Sequence, residues 1–177
     1  MYKVKMDGQT LYYPGDKEAV LTNPTLNLQT GYAGTFEFSV PPNNPLYDKI
    51  KNRSSMVSVF RDTTELFYGE VRKQPKVDRY RNKNVYCAGA MSFLADSIQP
   101  QAEYHDMTPR QMLETFLDIH NNQVEDRKKV YLGKVTITDA NDSLYRYTNF
   151  ENTLKAIREK LVEKLGGYLK LRHENDK

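Results

Sequence analysis

The chain reads as an α+β protein: a small antiparallel β-barrel or split barrel, followed by a mixed α/β subdomain with two amphipathic helices. Three observations predict this. Thr35 to Val40 alternates polar and apolar residues and stops at Pro41-Pro42. A period of two puts Phe36, Phe38 and Val40 on one sheet face, and two prolines in a row remove two ladder donors. Similar short runs, separated by turn residues, recur up to about residue 95, the spacing of a small barrel or sandwich. Beyond Ser97 to Gln101 the apolar spacing becomes helical. The expected organisation is therefore a β-rich, tube- or barrel-like domain over residues 1–97 and an α+β subdomain over residues 98–177.

The elements follow in order. Tyr2, Val4 and Met6 alternate, and Asp7-Gly8 after them is a two-residue hairpin signal, because both central positions of a type I′ turn need positive φ. Thr10 to Tyr13 forms the return strand, closed by Pro14-Gly15-Asp16. Leu26 and Leu28 begin another strand before Gly31. Phe36 to Val40 is the clearest strand, and Leu46 to Ile50 reads as one helical turn. Met56 to Phe60, the Asp62-Thr63-Thr64 turn and Glu65 to Arg72 make a second hairpin. Asn84 to Ala88 is the next strand. Thr108-Pro109-Arg110-Gln111 has threonine at N-cap, proline at N1 and glutamine at N3, a capping box. It opens a helix whose stripe is Met112, Leu113, Phe116, Leu117 and His120, with a stop at Asn121-Asn122. Val130 to Thr138 is strand-like, and Leu144 to Thr148 is a further candidate strand. Leu154, Ile157, Leu161, Val162 and Leu165 mark a second helix from Asn152 to Leu165. Gly166 is placed as its left-handed C′ residue. Tyr168, Leu169 and Leu171 start a last strand.

Composition narrows the function classes. The 177 residues carry a formal charge of +3 and 38% hydrophobic content, with 13 Tyr, 7 Phe and no Trp. That describes a polar but foldable chain with the aromatic content of a sheet protein. No apolar run approaches a membrane span, and Met1 to Met6 lacks the apolar core of a secretory signal. The one cysteine, Cys87, cannot form an intrachain disulfide, which fits folding in a reducing cytoplasm. The excess cations are too few and too dispersed to argue for a nucleic-acid or membrane partner.

Several short motifs occur in a fixed order: Leu21-Thr22-Asn23-Pro24; Gly34 to Val40 running into Pro41-Pro42 and Asn44-Pro45-Leu46-Tyr47-Asp48; Gly69-Glu70-Val71; Leu94-Ala95-Asp96-Ser97-Ile98-Gln99; His120-Asn121; Gly133-Lys134-Val135-Thr136-Ile137; and Leu165-Gly166-Gly167-Tyr168-Leu169. Together they span most of the chain. In this order the chain resembles the N-terminal region of siphophage and prophage tail proteins: the baseplate-hub or tail-associated lysin group, also called the prophage endopeptidase tail family. The resemblance implies a virion structural protein of the tail tip, made in the host bacterial cytoplasm. It would form a trimeric baseplate hub joining the tail tube to a central fibre or lytic module, with the distal tail protein and the tape-measure protein as partners. Family members continue past the equivalent of Lys177 with a return strand and a second tube-forming domain. The chain is therefore expected to be a piece of a longer protein, and the strand at Tyr168 to lack its return partner. The resemblance marks Gly34, Pro41, Pro42, Asn44, Pro45 and Tyr47 as candidate interface or shape-setting residues; physically they set a bend and an exit from a strand.

The family name includes peptidase, which directs attention to catalytic groups. There is no Gly-x-Ser-x-Gly elbow and no His-Glu-x-x-His helix. His105, His120 and His173 stand apart from one another and from Cys87, so neither a zinc set nor a cofactor site is expected. His120 ends the stripe of the first helix, where it would pack on the core and meet the helix dipole favourably. As a general base it would need a nucleophile that the sequence does not place nearby. Cys87 reads as a buried structural thiol, and His105-Asp106 as a surface turn. In this family, lytic activity resides C-terminal to the hub region, so no catalysis is expected here. The Arg72 to Lys83 run holds six cations and one aspartate. Pro75 and the Asp-Arg-Tyr-Arg order fit two strands and a solvated turn better than a sequence-specific nucleic-acid groove. Lys155, Arg158, Glu159, Lys160, Glu163 and Lys164 form a solvated helix face. Two rival functions stay open: a tail-associated peptidase or cell-wall hydrolase, and a receptor- or carbohydrate-binding module. The second rests on Tyr145 and Tyr147, which share one face of their strand and would either fill a core or form an exposed platform.

Overall fold

In the computed structural model, which describes residues 1–139 and 145–174, the chain divides into two units, Met1–Ala90 with Arg172–Lys177, and Met91–Leu171. The fold class is the one expected: a curled antiparallel sheet forming a half-barrel, with a few short helices.

The first unit is an eight-stranded sheet built from β1 (Tyr2–Met6), β2 (Gln9–Tyr12), β3 (Thr22–Asn27), β4 (Thr35–Val40), β5 (Met56–Arg61), β6 (Thr64–Val71), β7 (Lys76–Val77) and β8 (Lys83–Gly89). The order across the sheet is β2-β1-β5-β6-β8-β4-β3, with the two-residue β7 pairing off this path onto β8. Asp7 and Gly8 both have positive φ, 48° and 79°, so the first hairpin closes as its sequence requires. The β5–β6 hairpin turns through Asp62, also at positive φ. Register shifts in β1, β3 and β5 add the local twist that curls a sheet. In β3 the shift falls between Thr22 and Thr25. There Pro24 sits in an edge strand, one of the few strand positions that tolerates a missing donor.

Burial follows the period of two. Val4, Met6, Leu11, Phe36, Phe38, Val40, Val57, Val59, Phe67, Val85 and Cys87 form one apolar cluster, joined by Leu21, Leu46 and Ile50 from the loops. Ser39 departs from the expected polar face. It is buried, and its hydroxyl donates to Asn84 Oδ1 at 2.6 Å. A glycine pair lets the sheet close on this core. Gly69 of β6 stands opposite Gly89 of β8; a Cβ at Gly69 would lie 2.3 Å from the Ala88 carbonyl, and one at Gly89 would lie 1.7 Å from that of Ala33. The Phe67 ring occupies the space beside both.

The second unit opens with a 3₁₀ turn, Ala90–Ala95, of which Met91 onward belongs to the unit. A two-stranded ribbon pairs β9 (Ala102–Tyr104) with β10 (Arg146–Thr148). Helix α1 (Pro109–Asn121) carries the complete capping box: the Thr108 side chain accepts from the Gln111 amide, and the Gln111 side chain accepts from the Thr108 amide. The second helical run is broken into α2 (Thr153–Ile157), a π-helical turn (Arg158–Val162) and α3 (Glu163–Leu165). The Glu163 amide reaches back five residues to the Arg158 carbonyl, the spacing of a π-bulge.

Three expectations are corrected. Val130 to Thr138 enters no ladder among the described residues, although Val135 and Ile137 alternate with exposed neighbours as in a strand. Its first residue is tied instead to α1: Val130 N–H donates to Asn121 Oδ1, and Asn121 Nδ2 donates to the Val130 carbonyl. Residues 168–174 likewise pair with no strand among the described residues. Gly166 has φ 80° but ψ −177°, an extended glycine geometry rather than the left-handed one. Leu144, the first residue of a candidate strand, lies outside the described residues, and the strand that is seen begins at Arg146.

Candidate functional site

Of the residues marked as shape-setting, Gly34 stands at the entry of β4 and the others follow its exit. Gly34 has φ 70°, and its carbonyl accepts from Gly89 N–H at 3.1 Å. After Val40 the chain turns through Pro41, whose carbonyl accepts from Asn44 N–H. Asn44 is the anchor. It is 3% exposed. Its Nδ2 donates to the Leu11 and Val20 carbonyls at 2.9 and 3.0 Å, while its Oδ1 accepts from Leu46 N–H. One amide thus ties β2, the loop before β3 and the β4 exit together. Tyr47 closes the other side. Its hydroxyl donates to the Arg81 carbonyl, and Lys83 Nζ both donates to the Tyr47 carbonyl and lies 3.9 Å from its ring centre. Pro42 and Pro45 are exposed. The structure therefore brings Pro41, Asn44 and Tyr47 into one internal brace and leaves Pro42 and Pro45 on its surface.

The cationic run behaves as a turn. Asp78 accepts from the Tyr80 and Asn82 amides, and these bonds, working against a desolvation cost, hold its carboxyl below the ordinary range. Arg79 lies over Tyr80, and Lys73 over Tyr86, so two of its cations already stack on tyrosines of their own chain.

Within the second unit, Asp96-Ser97-Ile98-Gln99 is the centre of a buried polar network that sequence reasoning missed. Asp96 pairs with Lys128 Nζ at 3.2 Å. Ser97 Oγ lies 2.7 Å from His120 Nδ1 and 2.6 Å from Thr153 Oγ1. Gln99 Nε2 donates to Thr153 Oγ1 and to the Phe116 carbonyl. The Ile98 backbone is held on both sides by the Gln123 amide group. The proton order is fixed by its ends. The Lys128 carbonyl can only accept, so His120 Nε2, 3.0 Å away, carries the proton. His120 Nδ1 then accepts from Ser97, Ser97 accepts from Thr153, and Thr153 accepts from Gln99.

The nucleophile that the sequence did not place near His120 is therefore present in space. Yet Ser97 is 1% exposed and His120 not at all, so no substrate reaches the pair in this conformation. His120 packs on the core as expected. Burial, acting against the Lys128 carbonyl and Asp96, lowers its pKa, so the neutral ring gains nothing from the helix dipole. Cys87 is fully buried, and desolvation pushes its thiol well above the ordinary range, the inert end of thiol chemistry. His105 is exposed and faces Glu103 at 3.8 Å rather than Asp106. Among the described residues no group of three or more His, Cys, Asp or Glu could hold a metal, and no helix is long and apolar enough to cross a membrane.

Tyr145 and Tyr147 do not fill a core. Their strand turns its other face inward, where Arg146, 7% exposed, pairs with Asp139 and where Thr148 is 1% exposed. The ion pair takes the inward slot and sends both tyrosines to solvent. Lys160, expected on a solvated face, is half-buried, with its ammonium over Tyr147.

No protein-family profile and no curated protein matches the chain. Among solved structures it is similar to the tail protein from Neisseria meningitidis MC58, with 15% identity and a TM-score of 0.43 over 66% of this chain and 33% of that one. It is also similar to the 43 kDa tail protein of prophage MuSo2 from Shewanella oneidensis, with 16% identity and a TM-score of 0.41 over 64% of this chain and 35% of that one. The chain thus spans about a third of the length of each.

Proposed function

We propose that this chain is a structural protein of a phage tail tip, part of a trimeric baseplate hub that joins the tail tube to a central fibre or lytic module. The observation that carries this reading is the ordered series of tail-protein motifs running from Leu21 to Leu169. What those motifs do in the fold supports a structural role. Asn44 braces the β4 exit, Gly69 lets β6 approach β8, and Asp96 to Gln99 ties two helices to one segment. None of them presents a reactive group to solvent. In this reading the work is done at interfaces, with Pro42 and Pro45 offering a rigid exposed corner to a neighbouring subunit. The distal tail protein and the tape-measure protein are the expected partners.

Light scattering on the full-length protein at micromolar concentration tests the assembly. A mass three times that of the protomer supports the hub. A strict monomer, with no ring at the tip of negatively stained tails, overturns it. Hydrolysis of peptidoglycan that disappears in Ser97→Ala or His120→Ala variants that still fold would overturn the non-catalytic part of the reading.

A further inference from the structure

The outward face of the β9–β10 ribbon carries an aromatic array that no part of the tail-hub reading uses. The register sets Tyr147 opposite Glu103. One step along, the His105 and Tyr145 rings lie 5.0 Å apart between centres. Tyr145 and Tyr147 follow each other at 6.1 Å with their planes 29° apart. They are 51% and 53% exposed. The ribbon behind them is firmly backed, since Tyr104, Arg146 and Thr148 point inward and Tyr104 meets Phe116 edge to face at 5.7 Å. Two neighbouring half-exposed tyrosines on a packed ribbon make an aromatic surface, the kind of exposed ring area that recognition sites use.

The charges around the platform say what it suits. The Tyr145 hydroxyl donates to Glu103, which raises its pKa. Lys160 lies 4.6 Å from the Tyr147 ring centre and 3.8 Å from Glu151. A cationic ligand would compete with an ammonium already over the ring. An anionic ligand would meet Glu103 at the centre of the face. A neutral ligand with apolar C–H faces and hydroxyl edges fits both constraints: its faces cover the ring area left exposed beside the Lys160 ammonium, and its hydroxyls exchange hydrogen bonds with Glu103, His105 and Lys160. That is the chemistry of a pyranose sugar.

We propose that the Tyr145–Tyr147 face of the ribbon binds neutral saccharides, stacking sugar rings on the two tyrosines with Glu103, His105 and Lys160 as the hydrogen-bonding rim. The proposal stands independently of the tail-hub reading. Titrating the full 177-residue chain with chitotetraose and with maltotetraose, followed by calorimetry and saturation-transfer NMR, tests it. Saturable binding of at least one probe is expected, with saturation transferred to the sugar ring C–H protons. Affinity should fall about tenfold or more in Tyr145→Ala and in Tyr147→Ala, and Tyr147→Phe, which keeps the ring, should hold it within about threefold. Circular dichroism confirms folding, and should an alanine variant unfold, Lys160→Gln supplies the weakened-rim comparison. Three results would overturn the proposal: no saturable binding of either probe, binding untouched by these substitutions, or self-association of the chain that Tyr147→Ala abolishes, which would mark a protein-protein face.

Discussion

The ring of His173 lies flat on that of Tyr68, with centres 3.6 Å apart and planes 6° from parallel. The same imidazole places Nδ1 2.8 Å from a Glu65 carboxylate oxygen. One side chain thus docks the end of the described chain onto β6 by stacking and by polar contact at once. His173→Ala should free this segment, so trypsin should cut after Arg172 several-fold faster, while His173→Phe, which keeps the stack, should fall between the two. Equal cleavage rates in all three proteins would show that the segment is held by something else.

Replacing Asn44 by alanine removes a side chain that donates to both the Leu11 and Val20 carbonyls. Orphaning buried acceptors costs about 1–3 kcal/mol each, so a loss of about 2–4 kcal/mol is expected in urea unfolding. Asn44→Asp should be no better, because a carboxylate cannot donate. A variant whose midpoint matches the parent would remove Asn44 from its role as a brace.

Gly89→Ala tests the close approach of strands. Its new methyl would sit 1.7 Å from a backbone oxygen, and backbone cannot yield as a side-chain tip can. Overpacking of this kind costs about 3 kcal/mol or more. The variant is expected to be insoluble or to melt far below the parent; a thermal midpoint within a few degrees would contradict the geometry.

Thr108→Ala deletes an N-cap and half of a capping box, at a cost of about 1 kcal/mol. Amide exchange localises the effect: the first turn of α1, at Arg110 to Met112, should exchange faster, with little change at Asn121.

His120 gives the fold a pH dependence of definite sign. Its pKa is lowered in the folded chain, so on acidification the unfolded chain takes up the proton first. The stability contribution is complete above the unfolded value of about 6.5, and it declines as the pH drops through that value until the folded value is passed. Asp96 and Lys128, the charged groups that face the same network, pair with each other at 3.2 Å. Urea midpoints between pH 5 and 8 should fall towards acid, and the fall should be smaller in His120→Gln. An identical slope in the variant would place the proton uptake elsewhere.

Local chemistry made much of the fold legible. Asp7-Gly8, Thr108-Pro109-Arg110-Gln111 and the run from Thr35 to Val40 each specify their geometry within a few residues, and each forms as read. The misses have a common cause. Val130 to Thr138 has the pattern of a strand, but a ladder also needs a partner, and pattern carries no information about that. The alternation at Tyr145 and Tyr147 shows that they share a face; which face is inside depends on Asp139 reaching Arg146. The polar network joins Ser97, His120 and Thr153 across more than 50 positions of sequence, so no window along the chain contains it. For the candidate brace, resemblance marked the stretch, while the division of labour between buried Asn44 and exposed Pro42 and Pro45 required coordinates.

The line of hydrogen bonds from Gln99 through Thr153 and Ser97 to His120 and the Lys128 carbonyl runs in one sense only. It begins at a group that can only give and ends at one that can only take, so every link between must do both. Size is then the lesser constraint on these positions. Ser97→Ala is nearly the same volume, yet it strands a hydroxyl proton at Thr153 and an acceptor nitrogen without its donor at His120, on two different helices. Damage to the line is felt at its neighbours rather than at the break, and the three positions behave as one inheritable unit whose polarity, more than its shape, must survive substitution.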